Sequence, residues 1–281
     1  MQPDQDVVNR WSKSAQFWEK HRDVIRGMFE PVTQALVHDG EVSSGQTILD
    51  IATGPGEPAL SLAAVVGAAG KVFGIDPILG MIEAARRAAN SLQVKNIQFE
   101  VAFADQLPFP AGTFDAAVSR FGAMFFPAPA DAVREILRVL KPGRKFALAV
   151  WHVAEKNPFH HTLSLVLDRH IASPPPEPDA LDAFRFATHG KLLKFVNEAG
   201  ATNVSERLLQ FNIAAPISAE DFWAIRMEMS TSLRDKIAAL SPSQLAAVTQ
   251  EFVDALRGYS TGQGLSFPAE VLVVSGKHPR A

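Results

Sequence analysis

The sequence predicts an α/β fold: a mostly parallel sheet with helices on both faces and a helical lid at one end. Three observations carry this. Between residues 47 and 151 short apolar runs alternate with helical patterns, and a β-α-β-α rhythm requires crossovers that make the strands parallel. A helical pattern without strands precedes that stretch, and a helical insertion falls between two late strands after it. Finally, 47% hydrophobic and 20% charged residues can bury a full core, which excludes a disordered chain.

Taken in order, residues 1–45 read as a helical cap, with Val7, Trp11, Ala15, Trp18, Ile25 and Phe29 near one face at helical spacing. Residues 46–151 form the core: strands at Thr47 to Ala52, Lys71 to Asp76, Asn96 to Phe103, within Thr113 to Arg120, and at Arg144 to Trp151, with helices at Glu57 to Gly67, Leu79 to Asn90 and Pro129 to Leu140. The rhythm breaks over 152–187, where Ser173 to Pro178 (SPPPEP) is incompatible with a helix interior; this is a lid insertion. The core continues over 188–213, with a helix at Lys191 to Ala199 stopped by Gly200 and a strand at Asn203 to Ile213. Residues 214–265 are a second helical lid insertion. Ser218 and Asp221 cap a helix over 219–239, and Ser241, Pro242 and Gln244 open another that ends near Gly258. Tyr259 to Gly264 is a connector or a gate. Residues 266–281 supply the last core strand, Glu270 to Ser275, and a tail.

The balance of 27 basic and 30 acidic residues, net −3, gives no electrostatic footprint for nucleic acid. With no cysteine there is no disulfide framework, thiolate metal site or cysteine nucleophile. The N-terminal residues lack an apolar signal core, and the longest nearly apolar run, Ala59 to Ala69, is too short to span a membrane. A cytoplasmic protein is expected. Nineteen Phe against one Tyr either line an apolar cavity or reflect core composition.

The sharpest motif is Leu49-Asp50-Ile51-Ala52-Thr53-Gly54-Pro55-Gly56-Glu57-Pro58-Ala59: a strand enters, two glycines turn it, and a helix leaves. Glycines let the backbone turn tightly and let a ligand approach closely. The next strand ends on Asp76, whose carboxylate can accept both hydroxyls of a ribose. Gly54-x-Gly56-x-x-Ala59 followed 20 residues later by Asp76 also fits a dinucleotide fingerprint. Asp50 tilts the choice, because a carboxylate beside the turn opposes a pyrophosphate and suits an ammonium or sulfonium.

LDIATGPG (49–56), GIDPILGMIEAAR (74–86), LPFPAGTFDAAVSR (107–120) and REILRVLKPGR (134–144), in this order and spacing, resemble class I S-adenosylmethionine-dependent methyltransferases. The likeness is to the group with the ubiquinone/menaquinone-type and small-molecule enzymes (methyltransferase type 11). The resemblance implies a Rossmann-like, seven-stranded sheet. It implies that Asp50, Ala52, Thr53, Gly54 and Gly56 cradle the methionine part of S-adenosylmethionine. Asp76 would bind the ribose, with Pro77, Ile78 and Met81 against the adenine. Phe103, Ala104 and Asp105 would border the adenine edge, and Ser119 and Arg120 the methionine end. One departure stands out. The family's Asp or Asn four residues before the Leu-Pro pair is Phe103 here, so Asp105, the backbone or packing takes over the adenine amine.

Methyl transfer needs mainly alignment and a dry cavity, with a base where the acceptor must lose a proton. No metal is expected. His152, directly after a strand end, is the candidate catalytic base; an ordinary loop histidine is the other reading. His160 and His161, on 152–187, either approach the acceptor or are loop polar residues. Phe121, Met124 and Phe125 follow the fourth strand and form a natural wall for the acceptor. Trp11, Phe17 and Trp18 either close over the sulfonium or pack as core. Phe222, Trp223, Met227 and Met229 either line the same space or pack the lid. Arg120 either meets a carboxylate of a ligand or makes an ion pair. The expected partner is a small-molecule methyl acceptor, with S-adenosylhomocysteine as product; O-, C- or N-methylation and oligomeric state stay open. Two alternatives remain at this point: an NAD-dependent oxidoreductase on the same loop, and a non-catalytic module that binds S-adenosylmethionine.

Overall fold

A computed structural model describes residues 5–171 and 179–280, so the SPPPEP segment lies outside the described residues. The N-terminal helical pattern is three helices rather than one: α1 (Gln5–Lys20), α2 (Arg22–Met28) and α3 (Glu30–Asp39). The breaks fall at His21 and Phe29, and Pro31, tolerated only in a first helical turn, fixes the start of α3.

The core alternates β1 (Thr47–Ile51), α4 (Ala59–Val66), β2 (Lys71–Asp76), α5 (Leu79–Ser91), β3 (Ile97–Val101), β4 (Phe114–Arg120), α6 (Pro129–Val139) and β5 (Leu140–Trp151). There follow α7 (Pro158–His170), α8 (Lys191–Glu198), β6 (Thr202–Ala215), α9 (Ala219–Met229), α10 (Thr231–Ile237), α11 (Pro242–Ala255), β7 (Ser260–Thr261) and β8 (Gly264–Lys277). The strands run β3-β2-β1-β4-β5-β8-β6, and the two-residue β7 adds a short hairpin to β8. The expected seven strands are therefore present, with β7 an eighth. The first five pair in parallel. β8 is antiparallel to both neighbours, β5 and β6.

Three local features differ from expectation. α7 occupies part of the 152–187 insertion, where the sequence reading places no element, and Pro158 starts it at its first turn. The helix expected over 219–239 divides at Ser230, whose hydroxyl accepts from the Leu233 N–H and so caps α10. Tyr259 to Gly264 is not a loose loop, because Thr261 pairs with Gly264 and Ser260 with Leu265.

β1 is buried at four of five positions and β5 over its whole C-terminal half. Strands covered on both faces read as continuous apolar runs, which is why TILDI and FALAVW stand out in the sequence. The carboxyl ends of β1, β2, β4 and β5 open on one side of the sheet, where ligands sit in open α/β folds.

Candidate active site

A cavity of about 280 Å³ lies over those strand ends. Its floor comes from the turns: Ala52, Gly54 and Pro55 after β1, Asp76, Pro77 and Ile78 after β2, Phe103, Ala104 and Asp105 after β3, and Arg120 and Phe121 at the end of β4. Met81 of α5 and Trp18 of α1 close one side, while Met124 and Phe125 close another. Most residues expected to hold a ligand are therefore brought together. The far wall is aromatic. Phe29 meets Phe121, Trp151 and Phe159 edge-on at 5.2, 5.7 and 5.8 Å, and Phe121 stacks on Trp151 at 4.3 Å. Phe29, Phe103, Phe121, Phe125, Phe126, Phe159 and Phe222 all face the cavity. Phe114, Phe146, Phe186, Phe252 and Phe267 pack the core instead, so both readings of the phenylalanine excess hold.

Asp76 is buried, its Oδ1 accepting from Ile78 N (2.9 Å) and its Oδ2 from Gly54 N (3.0 Å). Each oxygen keeps lone-pair capacity for a further donor. Burial outweighs these two bonds and pushes its carboxyl up to about 6. Gly54 adopts φ +56° and a Cβ there would meet nothing, which leaves the turn open to a ligand.

Four expected contacts sit beneath the floor. Asp50 is fully buried with neither oxygen hydrogen-bonded, and desolvation pushes it up to about 7. Thr53 is buried, with an unpaired hydroxyl. Ser119 Oγ donates to Ile51 O and ties β4 to β1. Gly56 faces packing rather than ligand, since a Cβ there would come within 3.1 Å of Leu60 and 3.4 Å of Ala85.

Ala52 and Phe121, directly after β1 and β4, both take positive φ (58° and 62°), a conformation most side chains avoid. Gly122 permits this close approach, because a Cβ there would lie 2.4 Å from Ala52 Cβ. The Arg120 guanidinium is buried and donates to Thr33 Oγ1 (2.8 Å); no carboxylate among the described residues forms an ion pair with it. Desolvation lowers its pKa against the opposing pull of Glu57 and Asp50.

Four acceptor-side expectations are corrected. His152 does not line the cavity. Its neighbour Trp151 does, and successive strand side chains point to opposite faces. His152 Nδ1 pairs instead with Glu270 at 2.7 Å, beside His189. The imidazole that faces the cavity is His160. Phe17 lies under the Arg234 guanidinium, 5.3 Å away, outside the cavity. On α9, positions 222, 225, 226 and 229 share the inward face, so Trp223 and Met227 point away and Trp223 packs on Phe252. Phe29, Trp151, Phe159 and Arg226 were missed as cavity residues. A helical-wheel reading anchored on Phe222 would have found Arg226, and strand alternation would have found Trp151.

Residues 48–143 match the family model described as a methyltransferase domain. This stretch of the chain is a methyltransferase domain. The chain is 34% identical over 123 residues to the uncharacterized methyltransferase YcgJ of Bacillus subtilis, covering 44% of this chain and 47% of that protein. It is 34% identical over 119 residues to the aklanonic acid methyltransferase DauC of Streptomyces sp. (strain C5), covering 42% and 54%. With the demethylmenaquinone methyltransferase of Symbiobacterium thermophilum it shares 35% over 144 residues, covering 50% and 52%. The chain thus spans about half the length of the curated relatives it matches. The crystal structure of YcgJ superposes with a TM-score of 0.57 at 20% identity, over 89% of this chain and 98% of that one, and so shares its fold. The matched segment ends before β5 is complete, and Phe29, Trp151 and Phe159 of the aromatic wall and helices α1–α3 and α7–α11 lie outside it. Among the described residues no group of three or more His, Asp or Glu could hold a metal ion, and no helix is long and apolar enough to cross a membrane.

Proposed function

We propose that the chain transfers the methyl group of S-adenosylmethionine to a small, fairly apolar acceptor enclosed in the cavity. The observation that carries this reading is the cavity itself: one continuous space joins the glycine turn and Asp76 to the aromatic wall of Phe29, Phe121, Trp151 and Phe159.

The residues fit the cofactor at three points. Asp76 offers two oxygens with spare lone pairs to a ribose diol. Arg120, buried without a carboxylate of its own, suits the methionine carboxylate. Asp50, buried and unpaired just below the floor, supplies negative potential under an ammonium. Asp105 also lines the cavity and carries the acceptor for an adenine amine that the Phe103 side chain lacks.

S-adenosylmethionine brings a methyl group already activated by its sulfonium. The protein's part is to hold donor and acceptor in line and to keep water out. The stacked and edge-on rings of Phe29, Phe121, Trp151 and Phe159 make that wall dry, and their faces attract a cation. A small, lidded, mostly apolar space suits a compact acceptor, and the methylated atom can be O, C or N.

Calorimetric titration with S-adenosylmethionine, S-adenosylhomocysteine and NAD tests the reading. Micromolar binding of the first two and none of NAD is expected. Asp76→Ala should weaken S-adenosylhomocysteine by tenfold or more, and an unchanged affinity would remove Asp76 from the ribose. Binding of NAD alone would return the glycine turn to hydride chemistry.

A further inference from the structure

We infer that the acceptor is an apolar acid, and that Arg226 and His160 hold its oxyanion at the lid end of the cavity. The word acceptor rests on the proposed methyl transfer; the anion site itself does not.

Arg226 lies on the inward face of α9 and lines the cavity. Its guanidinium sits 5.2 Å over the Phe159 ring, and its terminal nitrogen faces His160 Nδ1 at 3.5 Å. No carboxylate among the described residues pairs with it. Glu228, two residues further on, is taken by Lys20 (2.7 Å) and His21 (2.6 Å). An aromatic face offsets only part of the cost of burying a guanidinium, and an anion offsets most of it.

His160 sets up a second donor. A guanidinium has no lone pair to offer, so the Nδ1 that faces it must be the acceptor, and the ring proton then sits on Nε2. That Nε2 is buried without a partner, and so is Arg226 Nε. Two N–H groups on two neighbouring cavity side chains therefore lack an acceptor. Burial, together with the Arg226 charge, keeps His160 neutral, and burial alone lowers Arg226 only to about 10, so it stays cationic at neutral pH. A carboxylate, or an ionised enol or phenol, has the charge and the lone pairs to satisfy both donors. The surrounding Trp151, Phe159 and Phe222 require the rest of the molecule to be apolar.

Arg120 and Arg226 are not interchangeable here. Arg120 ends β4 beside the glycine turn, within the field of Asp50 and Glu57. Arg226 belongs to the lid, and no acidic group contributes to its ionisation.

The test compares 2-naphthoate with its neutral isostere 2-naphthamide, titrated into the whole protein with and without saturating S-adenosylhomocysteine. The wild type should bind naphthoate at least tenfold more tightly than naphthamide. Arg226→Gln should abolish the preference, Arg226→Lys should restore part of it, and S-adenosylhomocysteine affinity should stay unchanged in both variants. Equal affinity for the two probes in the wild type, or binding of neither, overturns the proposal without requiring any variant to fold. A preference that survives in Arg226→Gln also overturns it. So does a tenfold loss of S-adenosylhomocysteine affinity in that variant, which would give Arg226 to the cofactor. If S-adenosylhomocysteine fails to bind at all, the methyl-transfer reading falls, and the naphthoate comparison still decides the anion site.

Discussion

Single residues at the floor of the cavity work against the stability of the fold. Asp50 is the clearest case. Burial lifts its carboxyl to about 7, so the folded chain keeps a proton there that the unfolded chain, titrating near about 4, has released. Its contribution to stability therefore falls as the pH rises from about 4 to about 7, and the full penalty persists above that window. Asp50→Asn mimics the protonated acid. The variant's melting temperature should gain a few degrees on the wild type's between pH 5 and pH 8, and the variant should bind S-adenosylhomocysteine more weakly. Melting curves at the two pH values check this, and an unchanged difference between the two proteins would contradict it. Asp50 and Ala52 lie within the glycine-turn motif and were within reach of sequence reasoning, whereas Gly122, distant in sequence, shows its role only through its approach to Ala52. The error over His152 arose at the same scale. The strand-end rule selects the right place on β5, but a shift of one residue exchanges the faces, and only Trp151 points to the cavity.

Among the elements, α1 and the α9–α10 pair close over the cavity through a polar clasp. Lys20 and His21 grip Glu228, and Ser14 Oγ shares a buried 2.8 Å hydrogen bond with Thr231 Oγ1. Half-exposed ion pairs contribute only about 0–1 kcal/mol. Glu228→Ala should thus leave the melting temperature nearly unchanged while speeding S-adenosylhomocysteine release up to about fivefold. Stopped-flow displacement measures that rate, and an unaltered rate would make the clasp a surface ornament. Elements with strong local chemistry were legible in the sequence. The Ser241–Gln244 capping box forms as expected, with Pro242 in the first turn of α11. The break at Ser230 was hidden by the apolar periodicity that runs through it. α7 was hidden by its neighbourhood, since the prolines at 174–178 discouraged a helix that ends before them. β8 begins earlier than expected because Pro268 argues against a strand. That proline lies beyond Val271, the last residue paired with β5, so one side of β8 is free there to tolerate it.

For the whole molecule, the parallel half of the sheet could be read directly because strands buried on both faces spell out continuous apolar runs. The antiparallel half could not, because β6 carries mixed exposure along its length and its pairing depends on a distant partner. The family motifs likewise reach the floor of the cavity but not its aromatic wall, which is assembled from the α2–α3 junction, the residue after β4, the end of β5 and α7. A ligand that binds only the folded chain stabilises all of it. At a hundredfold excess over Kd, S-adenosylhomocysteine should add about 2.7 kcal/mol, or roughly 5 °C for a chain of this size, and NAD should add nothing. Differential scanning calorimetry reads this, and equal shifts for both ligands would undercut the cofactor assignment. The placement of β8 has a temporal consequence as well. Among the described residues β6 pairs with no strand except β8, and residues 216–263 intervene between them. During synthesis β6 emerges long before its partner, while β1 to β5 can already dock on one another. The growing chain therefore passes through a stage with a nearly finished cavity floor and an orphan ribbon, and a chaperone would have most reason to hold it then.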